Sequence, residues 1–475
     1  MNSPSAPASL WQNLAPGIDY REFFLPQPNH VFVTRLERSN SQALIDTSLA
    51  QGRLGGGLET VREQAARYDQ AIGYWGGEWG ARYQVVAAIN GGFFDPQSGI
   101  LSNGMVQTGW YARRFENRQT VGGFIWRMDR QAFVTECLVS APGKQQVVLL
   151  KSDKKVPFDG INIPREKDQL VIYTPQYGAV TPSSKNGLEI LVEIGRPMMI
   201  LSPAEMITGT VREVIEDHGE NFIPFDHIFL SAGGETARAL KALLQPGDQI
   251  GIMQEIRHLD GGCRKERSEG LERTYAGLAG SAVFLREGDI QPLNDLGAVL
   301  RNPRTAVALN EQYVYFVVVD GRDQMNSLGM SMVELAVFAK LSLGASWGVA
   351  MDGGGSSTLV INGEVKNNPN AETAVRMRPD KVERVVANGL MMISVQPIQR
   401  SQRFKAGDTV TVSQEGDANL RLGPGTNYTP LTVLSPGAQG VVLPSPINGV
   451  LAKGYSWWKI GVGETVGWIS ESVLQ

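Results

Sequence analysis

Cysteine is nearly absent from this chain. Cys137 and Cys263 are the only two in 475 residues, too few for a disulfide framework or a cysteine-based zinc site. They leave room for one bridge or for two unrelated thiols. The four histidines, His30, His218, His227 and His258, show neither an HExxH motif nor a paired spacing, which argues against zinc-protease chemistry. There is no Walker loop. No apolar run reaches the roughly 18 residues of a membrane-spanning helix. Positive charge is not in excess: 44 basic residues face 48 acidic ones, a net charge of −4, so electrostatics gives no case for nucleic acid as a partner. The first residues, MNSPSAPASLWQNLAPG, carry no basic segment followed by an apolar stretch, and no signal peptide is visible.

Apolar residues and glycine are plentiful. Hydrophobic residues make up 42% of the chain, enough to bury a core and inconsistent with a disordered polypeptide. The 54 glycines are about 11%, against a usual value near 7%. Many follow apolar runs, where backbone turns sharply or approaches a ligand.

The pattern along the chain predicts an α+β fold, a mixed sheet core with flanking helices, followed by a small all-β barrel. Residues 1–15 read as a disordered lead-in, 16–396 as the main domain, 397–404 as a polar linker and 405–475 as the barrel. Thr60–Tyr68 has helical spacing, with Thr60 and Glu63 placed for a capping box. Short β-branched runs such as Val31–Leu36, Val85–Ile89, Leu170–Tyr173 and Leu188–Ile194 read as strands. The mixed-charge stretch 257–273 reads as a solvated loop.

Residues 301–395 are the most informative. Thr305–Leu309 and Tyr313–Val319 form a hairpin. Ser331–Leu343 is a helix that Gly344 stops. Trp347–Met351 is the next strand. A strand, a helix and a strand predict a right-handed crossover between two parallel, neighbouring strands. Asp320 and Asp352 then lie at one sheet edge, where ligands bind in open sheets. If Leu309 faces Tyr313, Arg304 reaches the same level. An arginine can hold a phosphate by two parallel hydrogen bonds. Two carboxylates can divide the roles of glycosidic cleavage, and Gly353-Gly354-Gly355-Ser356 can present successive N–H groups to an anion. Plainer readings stand beside these. Arg304 and Asp320 also fit a cross-hairpin ion pair. Asp352 fits a turn residue, Glu334 a capping box with Ser331, and Asn90 and Asp95 an Asx turn around GGFF.

The strings INGGFFD (89–95), NPRTAVAL (302–309), VVVDGRD (317–323), GMSMVELA (329–336), MDGGGSSTLVINGEV (351–365) and ERVVANGL (383–390) resemble, in order and spacing, the phosphodiester glycosidase family over roughly 16–395. The resemblance implies release of a sugar from a sugar-1-phosphodiester. It places the family pattern on Asn90, Arg304, Asp320, Glu334, Asp352, Gly353, Gly354, Gly355 and Ser356, and makes Glu334 a site candidate as well as a cap. Arg322, inside VVVDGRD, joins them as a substrate-binding candidate. Arg304 is then expected to bind the phosphate, with Asp320 or Asp352 as nucleophile or base and Glu334 as acid or orienter. No cofactor is required. A divalent cation enters in an alternative reading, a metal-dependent phosphodiesterase with Asp320, Asp323 and Asp352 as ligands. A third reading is a non-catalytic protein that binds envelope glycan.

The tail resembles a bacterial SH3-like domain through NLRLGPG (419–425), Trp457-Trp458-Lys459-Ile460 and Gly467-Trp468-Ile469. That implies binding of cell-envelope polymer through residues 405–475. Trp458 and Trp468 are expected in the barrel core, and Tyr428, Tyr455 and Trp457 on its surface. Both resemblances point to an extracellular or envelope location, whereas the missing leader points to the cytoplasm.

Overall fold

The strands that carry the aspartates belong to one eight-stranded sheet. The computed structural model describes residues 10–70, 81–115, 122–140, 144–182, 187–194, 206–260, 265–267, 271, 273–369, 383–397, 399–452 and 454–475. In that sheet β1 (Asn29–Glu37), β2 (Arg304–Leu309), β3 (Tyr313–Val319) and β4 (Trp347–Ala350) lie in the spatial order β1-β3-β2-β4. The strand β2 is antiparallel to both neighbours. Thus β3 and β4 run parallel, but β2 separates them, and the expected neighbouring pair is corrected. The hairpin register places Arg304 opposite Val319 and Leu309 opposite Val314, one residue from the expected pairing.

Helix α1 (Met332–Leu343) covers one face of this sheet. Its start is fixed by a capping box between Ser331 and Glu334, and its end by Gly344 at φ 63°, a left-handed conformation that glycine adopts without steric cost. Leu335, Ala336 and Ala339 pack with Ala306, Ala308 and Val317. The alanines let helix and sheet approach closely. The opposite face of the sheet, carrying Phe32, Val307, Phe316 and Val318, packs into a larger core shared with a five-stranded sheet through residues such as Ile45, Ile89, Leu390 and Ile393.

The fold is therefore mostly β, which corrects the α+β expectation. Among the described residues, strands outnumber α-helices thirty-six to four. Two of those helices, Leu296–Val299 and Gly234–Lys241, have only four and eight residues. The crossover around α1 has the look of an α/β unit, but elsewhere strand runs alternate with turn residues, and sheets pack on sheets.

Local expectations fared unevenly. The capping box at Thr60 is present, with Glu63 N donating to Thr60 Oγ1 at 3.2 Å and Thr60 N to Glu63 Oε2 at 2.9 Å. The stretch 257–273 is not simply a loop: Ile256–Asp260 and Lys265–Arg267 pair as antiparallel strands. Gln12–Ala15 is a strand paired with Ile18–Leu25, so the lead-in is ordered there. Residues 1–9 and Cys263 lie outside the described residues. No helix among the described residues is long and apolar enough to cross a membrane.

The strands from Gln399–Arg400 to Thr465–Ser470 form a sheet of their own. Trp458, Leu420, Ile460 and Ile469 fill its core. Strand alternation sends Trp457 and Lys459 to the opposite face, and that face is not bare. Trp457 and Trp468 close over Phe225 of the main body, together with Ile447 and Val450. Trp457 is consequently buried, contrary to the expected exposure. Tyr455 is exposed and Tyr428 half-buried. Lys459 Nζ reaches Glu193 and Asp226, both at 2.6 Å. Burial opposes the charge on Lys459, but the two carboxylates outweigh it and raise its pKa.

Candidate active site

Parity along the strands divides the expected site residues. Directly opposed residues of paired strands share a face, and the next residue points the other way. Arg304 opposes Val319, and both belong to the α1 side. Asp320, one residue on, leaves the sheet on the opposite side.

Arg304 is buried, and three of its donors serve backbone carbonyls. Its Nε donates to Met330 O at 2.7 Å, and Nη2 donates to Gly297 O and Leu300 O, each at 2.7 Å. Burial lowers its pKa to about 10, against partial support from Asp295. The guanidinium knits the 297–300 segment to the residue before Ser331. Glu334 lies on the same side of the sheet. Arg301 Nε reaches both its carboxylate oxygens at 3.0 Å, and Ser331 N donates to Oε2 at 2.9 Å. The Arg301 hydrogen bonds, with the cap, lower the Glu334 pKa. Both readings of Glu334 raised by the sequence thus meet a carboxylate committed to an arginine and a helix end.

Asp320 occupies the other side. Its Oδ1 accepts from Asn367 Nδ2 at 3.1 Å and from Asn368 N at 3.0 Å, while Oδ2 accepts from Asn368 N at 3.1 Å. Its own N–H donates to His30 O at 3.1 Å. These bonds fix the carboxylate in one orientation.

Asp352 is held from two directions. Its N–H donates to Gly91 O at 2.9 Å, and its carbonyl accepts from Asn90 Nδ2 at 2.6 Å. Asn90 Oδ1 in turn accepts from Thr305 Oγ1 at 2.7 Å and Thr358 N at 3.2 Å. Asn90 therefore ties three segments together around Asp352, while Asp95 makes the Asx turn, accepting from Gln97 N and Ser98 N at 2.8 Å. Asp352 Oδ2 accepts from Ser356 Oγ at 2.6 Å. Burial raises the Asp352 pKa, against the lowering effects of Ser356, Arg384 and the Gly353 N–H.

The glycine loop does not offer a row of open N–H groups. Gly354 N donates to Pro303 O at 2.9 Å, Ser356 N to Gly353 O at 3.3 Å and Ser357 N to Gly354 O at 3.2 Å. Gly353 and Gly355 flank a tight turn in which Gly354 has φ 63°. That left-handed backbone is what requires glycine at 354. A Cβ there would stand 3.1 Å from Arg322 Nη2. Arg322 itself adopts φ 62°, unusual for a non-glycine residue. Its Nη2 donates to Asn302 Oδ1 at 3.1 Å. Burial and the neighbouring Arg384 lower its pKa. Arg384 Nη1 lies 3.5 Å from Ser356 Oγ. Two arginines, Arg322 and Arg384, thus flank the Gly354–Ser356 turn beside the Asp352 carboxyl. Sequence reasoning included Arg322 but missed Arg384, although it stands inside the quoted ERVVANGL string.

Beside this cluster is a cavity of about 220 Å³ lined by residues including Gly92, Phe93, Asn103, Leu278 and Asn388. A Cβ at Gly91 or Gly92 would collide with Asn388 or with Ala279 O, so the paired glycines are required by packing. The carboxylates of the metal reading do not assemble. Asp323 makes a local turn, accepting from Met325 N at 3.0 Å and Asn326 N at 3.2 Å. Among the described residues no three His, Cys, Asp or Glu side chains form a group suited to a metal ion.

Residues 214–393 match the phosphodiester glycosidase family model. This segment contains Asp320, Arg322, Asp352, Ser356 and Arg384; Asn90 lies outside it. Solved structures give a likeness of fold. A hypothetical protein from Synechocystis aligns at TM-score 0.53 and 16% identity, covering 80% of this chain and 62% of that one. The chain thus spans less than two thirds of that relative. A Burkholderia pseudomallei protein aligns at TM-score 0.50 and 19% identity, covering 77% and 74%. The catalytic domain of zebrafish N-acetylglucosamine-1-phosphodiester alpha-N-acetylglucosaminidase, auto-inhibited by its pro-peptide, aligns at TM-score 0.39 and 12% identity, covering 82% and 87%. No curated protein matches the sequence.

Proposed function

We propose that this protein hydrolyses a sugar-1-phosphodiester between the anomeric carbon and the phosphate. The observation that carries the reading is the Asp352 carboxyl, half-buried against Ser356 and flanked by Arg322 and Arg384. The family match over residues 214–393 supports it. In this reading the arginine pair binds the phosphate, and Arg304 and Glu334 hold the scaffold around it. The cavity beside Gly92 and Asn388 takes the sugar. Asp320, oriented by Asn367 and Asn368, acts as nucleophile or base. Asp352, with its raised pKa, is suited to carry a proton to the departing oxygen.

The departing phosphate monoester is a good leaving group, so proton donation is the smaller requirement. Stabilising the charge that develops on the phosphate is the larger one, and loss of one such donor costs about 10²–10³ in turnover. We extend the reading to an extracellular or envelope glycan as the source of the diester. The resemblance of residues 405–475 to envelope-binding modules supports that choice. The test is product analysis after incubation with a nucleoside-diphosphate sugar and with simple alkyl sugar-1-phosphodiesters. Free sugar supports the reading, and sugar-1-phosphate contradicts it.

A further inference from the structure

Arg384 lies between two anchors. On one side, Val386 exchanges backbone hydrogen bonds with Glu59: Val386 N donates to Glu59 O at 2.8 Å, and Glu59 N to Val386 O at 3.1 Å. The buried Gln64 adds a third bond, from Nε2 to Val386 O at 2.9 Å. On the other side, Glu383 accepts from the first turn of the helix Val61–Gln70. Its Oε2 takes the Arg62 N–H at 3.3 Å, and its Oε1 lies 3.1 Å from Arg62 Nε. The Glu383 side chain is only 3% exposed, whereas that of Arg62 is 57% exposed. A carboxylate at this end of a helix meets N–H groups that have no partner within the helix, and the positive end of the helix dipole. Burial raises the Glu383 pKa, and the Arg62 N–H and guanidinium oppose the rise.

Glu383 thus turns to the helix, and its neighbour Arg384 turns to the Gly354–Ser356 turn. Arg384 Nη1 is 3.5 Å from Ser356 Oγ, which donates to Asp352 Oδ2 at 2.6 Å. The contacts run from Arg62 through Glu383 and Arg384 to the Asp352 carboxyl. Arginine has a long side chain with many rotamers. When its backbone is already fixed beside the site, less freedom is lost on taking up an anion.

We propose that Glu383 is a positioning residue: clamped by Arg62 and the helix start, it holds Arg384 at the Ser356 turn and so sets the affinity of the site for a phosphate group. The proposal rests on the reading of Arg384 as a phosphate ligand. Charge alone predicts the opposite effect of removing Glu383, because loss of a carboxylate near an anion site relieves repulsion and tightens binding.

Titration calorimetry of the full chain with methyl phosphate tests the clamp. Glu383→Ala is expected to weaken binding about fivefold, the cost of ordering one rotamer-rich side chain. Glu383→Gln keeps an acceptor for Arg62 and should recover most of that loss. Arg62→Ala should lose less than Glu383→Ala, because the Arg62 N–H remains. In an Arg384→Ala background neither change should cost anything further, since the effect passes through Arg384. Equal losses in both backgrounds, no recovery by Glu383→Gln, or binding by Glu383→Ala as tight as wild type overturns the clamp and leaves Arg384 as a phosphate ligand. If Glu383→Ala does not fold, the exposed Arg62 decides: a loss in Arg62→Ala that vanishes in the Arg384→Ala background upholds the clamp, and no loss overturns it. Wild type that does not bind methyl phosphate, or Arg384→Ala that binds it like wild type, removes the phosphate reading of Arg384 and the clamp with it.

Discussion

Arg304 and Asp320 are one register step apart on paired strands and leave opposite faces of the sheet. That single step separates the expected cluster into two groups. Arg304 and Glu334 join the 297–300 segment and the helix start on one side. Asp320 faces Asn367 and Asn368 on the other, while Asp352 stands beside Ser356, Arg322 and Arg384.

Arg304 substitutions should act on stability rather than on substrate affinity. Its donors serve three backbone carbonyls. Leaving one such group unsatisfied costs about 1–3 kcal/mol. Lysine lacks the planar fork and should not rescue the loss. Thermal unfolding of Arg304→Lys is expected at a clearly lower temperature, with KM of the remaining folded enzyme close to wild type. A large rise in KM with an unchanged unfolding temperature would place Arg304 on the substrate instead.

Arg384 is expected to behave in the opposite way. A hydrogen bond to a charged group contributes about 1.5–3 kcal/mol, or roughly 10–150-fold in kcat/KM. Arg384→Ala and Arg322→Ala should each lose activity on this scale, with little change in unfolding temperature. In the double variant the losses should fall short of additive, because the two side chains share one anion. Steady-state kinetics on the four proteins checks this.

Asp352 makes a pH-dependent prediction with a defined sign. Burial raises its folded pKa above the ordinary 3.8. The folded state then binds the proton more tightly than the unfolded state, and this contribution to stability is lost as pH rises through the folded pKa. At neutral pH the buried charge therefore opposes folding. Asp352→Asn should unfold at a higher temperature than wild type near pH 7. The gap should close as pH falls below about 4, where the unfolded carboxyl is also protonated. Activity should be lost in the same variant. Unfolding curves from pH 3 to 8 give the answer.

The ion pairs of Lys459 should dominate the docking of the 399–475 sheet. Lys459 bridges Glu193 and Asp226 across the contact that encloses Phe225. Removing one partner of a buried ion pair costs about 3–5 kcal/mol. Lys459→Met is expected to split thermal unfolding into two transitions, while catalytic activity at low temperature stays near wild type. A single unshifted transition would show that the interface is held by the aromatic cluster alone.

Much of the local structure was legible in the sequence. The strand Tyr313–Val319, the helix after Ser331, its Gly344 stop and the capping box at Thr60 all follow from periodicity and turn chemistry. The Asp320 and Asp352 positions at one sheet edge survived the insertion of a third strand, because two antiparallel steps restore strand direction. The side of the sheet was harder to read. The expected hairpin register was off by one residue, and with a period of two such a slip exchanges faces. Arg384 carried no local signal of its role, since it approaches Ser356 from 28 residues away. The burial of Trp457 depends on Phe225, some 230 residues earlier, which no pattern within 405–475 reveals.

The most direct test is the identity of the first product released from a sugar-1-phosphodiester by wild type and by Asp352→Asn, each with and without EDTA. The account predicts free sugar from wild type, indifference to EDTA and loss of release in the variant. Sugar-1-phosphate as the product, abolished by EDTA and retained in Asp352→Asn, would contradict it.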